Sequence, residues 1–277
     1  MKALHLLSIV VCALLPAMAA HAQPAKEYAP EVGQEGKDVV WVPTSQELVN
    51  KMLDMAKATP SDYVIDLGSG DGRTVITAAK RGIKALGIEY NPDMVDLSKR
   101  AATKEGVTER ATFIKADLFE TDFSQATVIT MFLLPTINLQ LRPKILALKP
   151  GTRIVSNTFT MGDWEADETA TVASKESSSY YRTALLWIVP AQVGGTWKMT
   201  GTAASGDLTL FQDFQQLTGS LKSAVDSTRL TGGKLRGELI SFSVGGTHYS
   251  GKVAGDSITG TAVAGGSSRE WSATRVK

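Results

Sequence analysis

The sequence predicts an α/β domain with a parallel sheet, followed by a small antiparallel all-β domain built as a barrel or a sandwich. Three observations carry this. Strand-like and helix-like segments alternate from residue 44 to about residue 160, as parallel strands joined by crossover helices do. Glycine is sparse before residue 190 and dense after it, with 10 Gly in 23–189 and 15 in 190–277. The first strand-to-helix turn is a glycine loop, Gly68-Ser69-Gly70-Asp71-Gly72, at the strand end where open α/β sheets place ligands. The chain is therefore divided into residues 1–22, 23–190 and 191–277.

Residues 1–22 read as a signal peptide. Lys2 supplies positive charge, an apolar run ends at Leu15, Pro16 breaks it, and Ala20-His21-Ala22 fits a small-x-small cleavage site. The run is shorter than the roughly 20 residues of a bilayer span. A periplasmic location is expected, with no stable membrane span after cleavage. The sole cysteine is Cys12, and the three histidines are His5, His21 and His248. A chain cleaved after Ala22 has no thiol and one imidazole, which excludes thiol catalysis, disulfides and Cys- or His-built metal sites. A formal net charge of +1 gives no reason to expect a nucleic-acid partner.

The first helix is expected from Thr44, with Glu47 completing a capping box and Leu48, Met52, Met55 and Ala56 at helical spacing up to Pro60. Tyr63 to Leu67 reads as a strand, Arg73 to Lys80 as a helix and Lys84 to Glu89 as a strand. Pro92 to Glu105 is a helix with proline at its start. Ala111 to Lys115, Ala126 to Phe132 and Thr152 to Phe159 read as strands, with a helix from Ile137 to Leu148 between the last two. Tyr180 to Val189 reads as a late, antiparallel strand.

After Pro190 the period changes to two. Apolar residues sit two positions either side of a glycine in Leu217-Thr-Gly219-Ser-Leu221, Leu235-Arg-Gly237-Glu-Leu239, Tyr249-Ser-Gly251-Lys-Val253 and Ile258-Thr-Gly260-Thr-Ala262. Gly-Gly pairs supply turns. Seven or eight short strands in a meander are expected, closed to hide their edges. Trp197, Phe211, Phe214, Phe242, Tyr249 and Trp271 are the expected core, and a ligand cavity inside a barrel stays open as a reading.

The glycine loop is too short for a dinucleotide fingerprint, because its third glycine comes one residue early. It lacks the Gly-Lys-Ser/Thr of a P-loop, and Asp71 would repel a phosphate. Carboxylates without phosphate chemistry suit a neutral or cationic adenosyl ligand. Glu89 ends the second strand, where it can accept both bonds of a ribose diol. Asp117 follows the third, where it can accept from an adenine amino group.

This constellation resembles the class I S-adenosylmethionine-dependent methyltransferases over roughly residues 40–160, which implies a Rossmann-like methyltransferase sheet. The cofactor-binding set implied is Asp66, Gly68, Ser69, Gly70, Gly72, Glu89, Tyr90, Asn91, Asp117 and Leu118. A closer resemblance is to the small methyltransferases that modify lysine in the ring of an ATP synthase. It rests on Asp66 to Arg73, Ala79-Lys80-Arg81-Gly82, Asp117-Leu118-Phe119, Leu148-Lys149-Pro150-Gly151-Thr152-Arg153-Ile154-Val155 and Trp164. In that group the segment Val42-Pro43-Thr44 closes over the cofactor. The chain departs from the group in Phe132-Leu133-Leu134-Pro135, in the β-domain and in the export signal.

The resemblance implies in-line methyl transfer from S-adenosylmethionine, with a protein lysine as acceptor. A lysine must lose its proton, and an apolar mouth lowers its pKa. Trp41, Phe132, Leu133, Leu134, Pro135 and Trp164 are the candidates for that mouth. Asp163 and Tyr90 are the candidates considered for a base, and no catalytic acid or base is assigned. Export conflicts with a cytosolic cofactor. The alternative reading is a non-catalytic periplasmic binding protein that retains a Rossmann-like pocket.

Overall fold

A computed structural model of the 277-residue chain describes residues 28–173, 180–201 and 205–277. The segment read as an export signal lies outside them. The first domain is a seven-stranded sheet of β1 (Tyr63–Leu67), β2 (Lys84–Glu89), β3 (Ala111–Lys115), β4 (Val128–Met131), β5 (Arg153–Asn157), β6 (Glu168–Thr171) and β7 (Thr183–Ile188). Its order is β3-β2-β1-β4-β5-β7-β6. The first five strands are mutually parallel, and β7 lies antiparallel between β5 and β6. Helices α1 (Gln46–Met55), α2 (Arg73–Lys80), α3 (Pro92–Lys104) and α4 (Pro135–Leu146) complete the domain.

The chain runs outward through β1, β2 and β3, then returns to place β4 on the other side of β1. The loops leaving β1 and β4 therefore diverge, and the crevice between them is the natural ligand site.

Most elements lie where the residue pattern puts them. Helix α1 starts one residue later than expected, because Ser45 is the N-cap and its hydroxyl accepts from the Leu48 amide. Helix α4 starts earlier than expected, at Pro135, whose fixed φ suits the first helical position. Strand β6 is absent from the sequence reading. It is a four-residue edge strand with no buried residue, so it carries no apolar alternation.

The second domain is β8 (Gly195–Gly201), β9 (Gly206–Asp213), β10 (Gln216–Lys222), β11 (Ser227–Arg229), β12 (Thr231–Arg236), β13 (Leu239–Val244), β14 (Thr247–Ala254), β15 (Ser257–Ala264) and β16 (Ser267–Arg275). Pairing of β9 with β10 closes an eight-stranded antiparallel barrel, with β11 attached outside β10. The recurring glycines allow strands to approach closely. A Cβ at Gly219 or Gly260 would stand 1.9 Å from the carbonyl oxygen of Thr209 or Ser250. Gly237 differs, since it sits in the β12–β13 turn with φ 61°.

Trp197, Phe242, Tyr249 and Trp271 are buried inside the barrel, and the Phe242 and Tyr249 rings stack 5.0 Å apart. Large side chains occupy the interior. Two expected core residues are corrected. Phe211 is 67% exposed, because its position on β9 alternates outward from buried Leu208 and Leu210. Phe214 leaves the barrel altogether and stacks on Trp164 of the first domain, with ring centroids 5.8 Å apart.

That stack is the centre of a joint between the two domains. The Arg142 guanidinium lies 5.2 Å from the Phe214 ring centre. Gln215 Nε2 donates to the Glu165 carbonyl at 2.8 Å, and Arg236 pairs with Glu168. Trp164 is also fixed from below, because Trp187 Nε1 donates to its carbonyl at 2.8 Å.

Candidate active site

The crevice at the carboxyl ends of the strands is a cleft of about 370 Å³, within the range of small-molecule sites. Topology orders its walls. Asp117 follows β3, Glu89 ends β2, the glycine loop follows β1, Phe132-Leu133-Leu134 follow β4 and Phe159 follows β5. The cleft is thus acidic at the β3–β2 side and apolar at the β4–β5 side.

The glycine loop is shaped by its own backbone. Gly68, Gly70 and Gly72 have φ of 75°, 53° and 79°, values that suit glycine. The Gly68 and Ser69 amides donate to the Ile88 carbonyl at 2.9 and 3.0 Å, and Ser98 Oγ donates to the Gly70 carbonyl. Glu89 is held from both sides. The Gly70 amide donates to its Oε2 and the Asn91 amide to its Oε1, each at 2.9 Å. Asn91 then caps α3 by accepting from the Asp93 amide.

Asp66 lies at the floor, 6% exposed. Thr130 Oγ1 donates to it at 2.6 Å. Burial pushes its pKa up to about 7, with the Thr130 bond pulling the other way and the charges of Asp71 and Glu89 adding to the rise. Asp66, Asp71 and Glu89 thus face one crevice together. Asp71 is paired with Arg73, whose other nitrogen donates to the Thr44 carbonyl. A cationic ligand would relieve the remaining repulsion.

The roof comes from the segment ahead of α1, which folds back on itself. The Gly33 amide donates to the Trp41 carbonyl and the Trp41 amide to the Gln34 carbonyl. Residues 34–42 and Thr44 line the cleft. The Trp41 ring covers Gly70 so closely that a Cβ there would stand 2.7 Å from Trp41 Nε1. Lys37 Nζ donates to Asp117 Oδ2 at 2.5 Å and lies 4.9 Å from the centre of the Tyr90 ring. This bond, with the Phe119 amide on Oδ1, holds the Asp117 carboxyl below the usual range.

The structure gathers Asp66, Gly68, Ser69, Gly70, Glu89, Tyr90, Asn91, Asp117, Leu118, Trp41 and Phe132 around this one cleft. Three expected residues do not line it. Gly72 turns the chain into α2, and a Cβ there would meet Phe113 and Ser98 at 2.8 Å, so it serves packing. Pro135 is exposed at the start of α4, and Leu134 takes the cleft position. Trp164 is buried between Trp187 and Phe214 in the interdomain joint.

Asp163, considered as a base, is paired with Arg142, which lowers its pKa, and it does not line the cleft. Among the described residues no group of three or more His, Cys, Asp or Glu side chains is placed to hold a metal, and no helix is long and apolar enough to cross a membrane. Lys37, Phe159 and Tyr181 line the cleft without having been read from the sequence. They carry no motif, and only the fold brings them there.

Comparison with known proteins agrees with this geometry. The family described as the ANTKMT methyltransferase domain matches residues 66–168. The protein-lysine N-methyltransferase of Saccharolobus islandicus (strain REY15A) is 43% identical over 154 residues, covering 54% of this chain and 94% of that protein. The chain belongs to the ANTKMT methyltransferase family. The human lysine N-methyltransferase named for the C-subunit of ATP synthase is 36% identical over 128 residues, or 46% of this chain and 54% of that one. The methyltransferase thus spans nearly all of the archaeal relative and about half of the human one.

A crystal structure described as an RNA methyltransferase from Salinibacter ruber in complex with S-adenosyl-L-homocysteine has 40% identity and a TM-score of 0.51. It covers 55% of this chain and 96% of that one. The protein is an S-adenosylmethionine-dependent methyltransferase with a Rossmann-like sheet and an appended β-barrel. The reading as a non-catalytic binding protein is not favoured.

Proposed function

We propose that the methyltransferase acts on the ε-amine of a protein lysine. The observation that carries this is the chemistry of the β4–β5 side of the cleft. Its lining is Met131, Phe132, Leu133, Leu134, Ile137, Phe159 and Tyr181, with no carboxylate or imidazole among them. A hydroxyl acceptor needs a base to lose its proton. An amine drawn into an apolar wall loses its proton to water as its pKa falls. The names of the archaeal and human relatives, both lysine methyltransferases, support the same acceptor.

When bound, S-adenosylmethionine supplies an electrophilic methyl group on a sulfonium sulfur. In this reading Glu89 accepts from the ribose diol, pre-set by the two amides that hold it. Asp117 accepts from the adenine amino group, and Tyr90, Asn91 and Leu118 border the ring. Gly68 and Gly70, where Leu133 and Trp41 close in on the backbone, border the methionine part, whose ammonium is balanced by Asp66. Trp41 closes the roof and excludes water. Orientation of this kind is worth about 7–11 kcal/mol in favourable cases.

We also propose export by residues 1–22, with the cleaved chain in the periplasm. N-terminal sequencing of the protein from fractionated cells tests this. Gln23 as first residue in the periplasmic fraction supports it, and an intact Met1 in the cytosol rejects it.

The acceptor is tested by incubating the purified chain with radiolabelled S-adenosylmethionine and extracts of its own cells. Label in protein, with 14 Da steps on lysine by mass spectrometry, is the expected result. Label removed by ribonuclease, or label on another side chain, overturns it.

A further inference from the structure

We propose that Phe132, Phe159 and Tyr181 form an aromatic wall that reads the positive charge of the acceptor, and that Phe159 and Tyr181 are specificity residues. The inference rests on the lysine acceptor proposed above and says how that acceptor is chosen.

The three rings come from three separate segments, after β4, after β5 and ahead of β7. Their centroids lie 5.8 Å apart for Phe132 and Phe159, 5.2 Å for Phe132 and Tyr181, and 6.1 Å for Phe159 and Tyr181. At these separations the rings touch one another, so they build one continuous wall and not a box around a guest. All three are half-buried and line the cleft. Each therefore keeps part of its surface toward the entering group.

The local backbone shows that placing Phe159 is costly. Thr158 has φ 63°, and a β-branched residue in the left-handed region is strained. The turn that follows is pinned by two side chains with no exposed surface. Ser156 Oγ donates to the Phe159 carbonyl at 2.8 Å. Asn138 Nδ2, from α4, donates to the carbonyls of Phe159 and Thr160 at 3.3 and 3.1 Å. Thr158 Oγ1, with a single proton to donate, lies 2.9 Å from Asn157 Oδ1 and 3.3 Å from the Tyr180 carbonyl oxygen, which sets this turn beside the chain carrying Tyr181. Strain and buried polar groups concentrated on one turn mark a site where geometry is held for function.

An alkylammonium within about 6 Å of a ring centre is drawn to the ring face, while a neutral group of the same shape is not. The wall thus attracts a lysine in its charged form at the cleft mouth, and the proton passes to water only as the amine leaves the ring faces for the aliphatic lining of Met131, Leu133 and Ile137. Neutral side chains of equal size gain only apolar contact.

The full chain, saturated with S-adenosylhomocysteine, is titrated by NMR with acetyl-trimethyllysine amide and with its neutral carbon isostere, in which a tert-butyl group replaces the trimethylammonium. The cation is expected to bind at least about fivefold tighter. Tyr181→Leu and Phe159→Leu, which keep apolar volume, should each bring that ratio to within twofold of one while leaving S-adenosylhomocysteine affinity unchanged. Equal affinity in the native chain, an unaltered ratio in both variants, or failure of both probes to bind overturns the wall. Failure to label lysine in the acceptor test instead overturns the reading on which it rests.

Discussion

Lys37 Nζ donates to Asp117 Oδ2 across the mouth of the cleft, joining the roof segment to the turn after β3. Asp117 has its other oxygen on the Phe119 amide, so an adenine amino group would compete with Lys37 for the same carboxylate. The pair is partly solvated, where such bonds are weak. Lys37→Met should therefore tighten S-adenosylhomocysteine binding by roughly two- to fivefold, measured by calorimetry. Weaker binding would show instead that Lys37 belongs to the closed roof.

With Asp66 at the floor of the cleft, cofactor binding is expected to depend on pH. Its carboxyl is pushed up to about 7, mainly by burial, and a cationic ligand prefers the ionised form. Affinity should rise about tenfold from pH 6 to pH 8, with proton release on binding below pH 7. Asp66→Asn should weaken binding and flatten this step.

The same group has a stability signature. Its folded pKa lies above the ordinary value of 3.8, so its contribution to stability is full below pH 4 and is lost as pH rises through about 7. Urea unfolding at pH 5 and pH 8 checks this. Asp66→Asn should lose less stability than the native chain between the two.

Gly70→Ala should cripple the cleft without touching a charge. The position has φ 53°, a conformation that costs roughly 1–2 kcal/mol for alanine, and the new methyl would meet Trp41. Cofactor affinity should fall at least about tenfold. Adding Trp41→Ala relieves the contact but not the backbone, so the double variant should regain only part of the lost melting temperature.

Phe214→Ala should loosen the interdomain joint. The ring stacks on Trp164 beneath the Arg142 guanidinium, and its loss is expected to cost about 2 kcal/mol. Thermal denaturation reads the loss. Cofactor affinity should stay within twofold, since none of these three residues lines the cleft.

The sequence by itself determined the order of the elements other than β6, the break near residue 190 and most of the residues that line the β1–β3 side of the cleft. Those features are local. The glycine loop, Glu89 and Asp117 each end or follow a strand, so alternation alone places them together once the sheet is parallel. The antiparallel all-β second domain was equally legible from its period-two apolar residues, but barrel and sandwich stayed open until the pairing of β9 with β10 closed the sheet.

Only the tertiary structure completed the β4–β5 side of the cleft. Trp164 reads as a cleft residue beside Asp163 in the sequence, yet the barrel arrives through Phe214 and buries it. Phe159 and Tyr181 carry no motif, and they meet because β7 turns back antiparallel against β5. Lys37 reaches Asp117 over 80 residues of chain. Contacts of that range are set by packing and topology, and no local pattern of residue types records them.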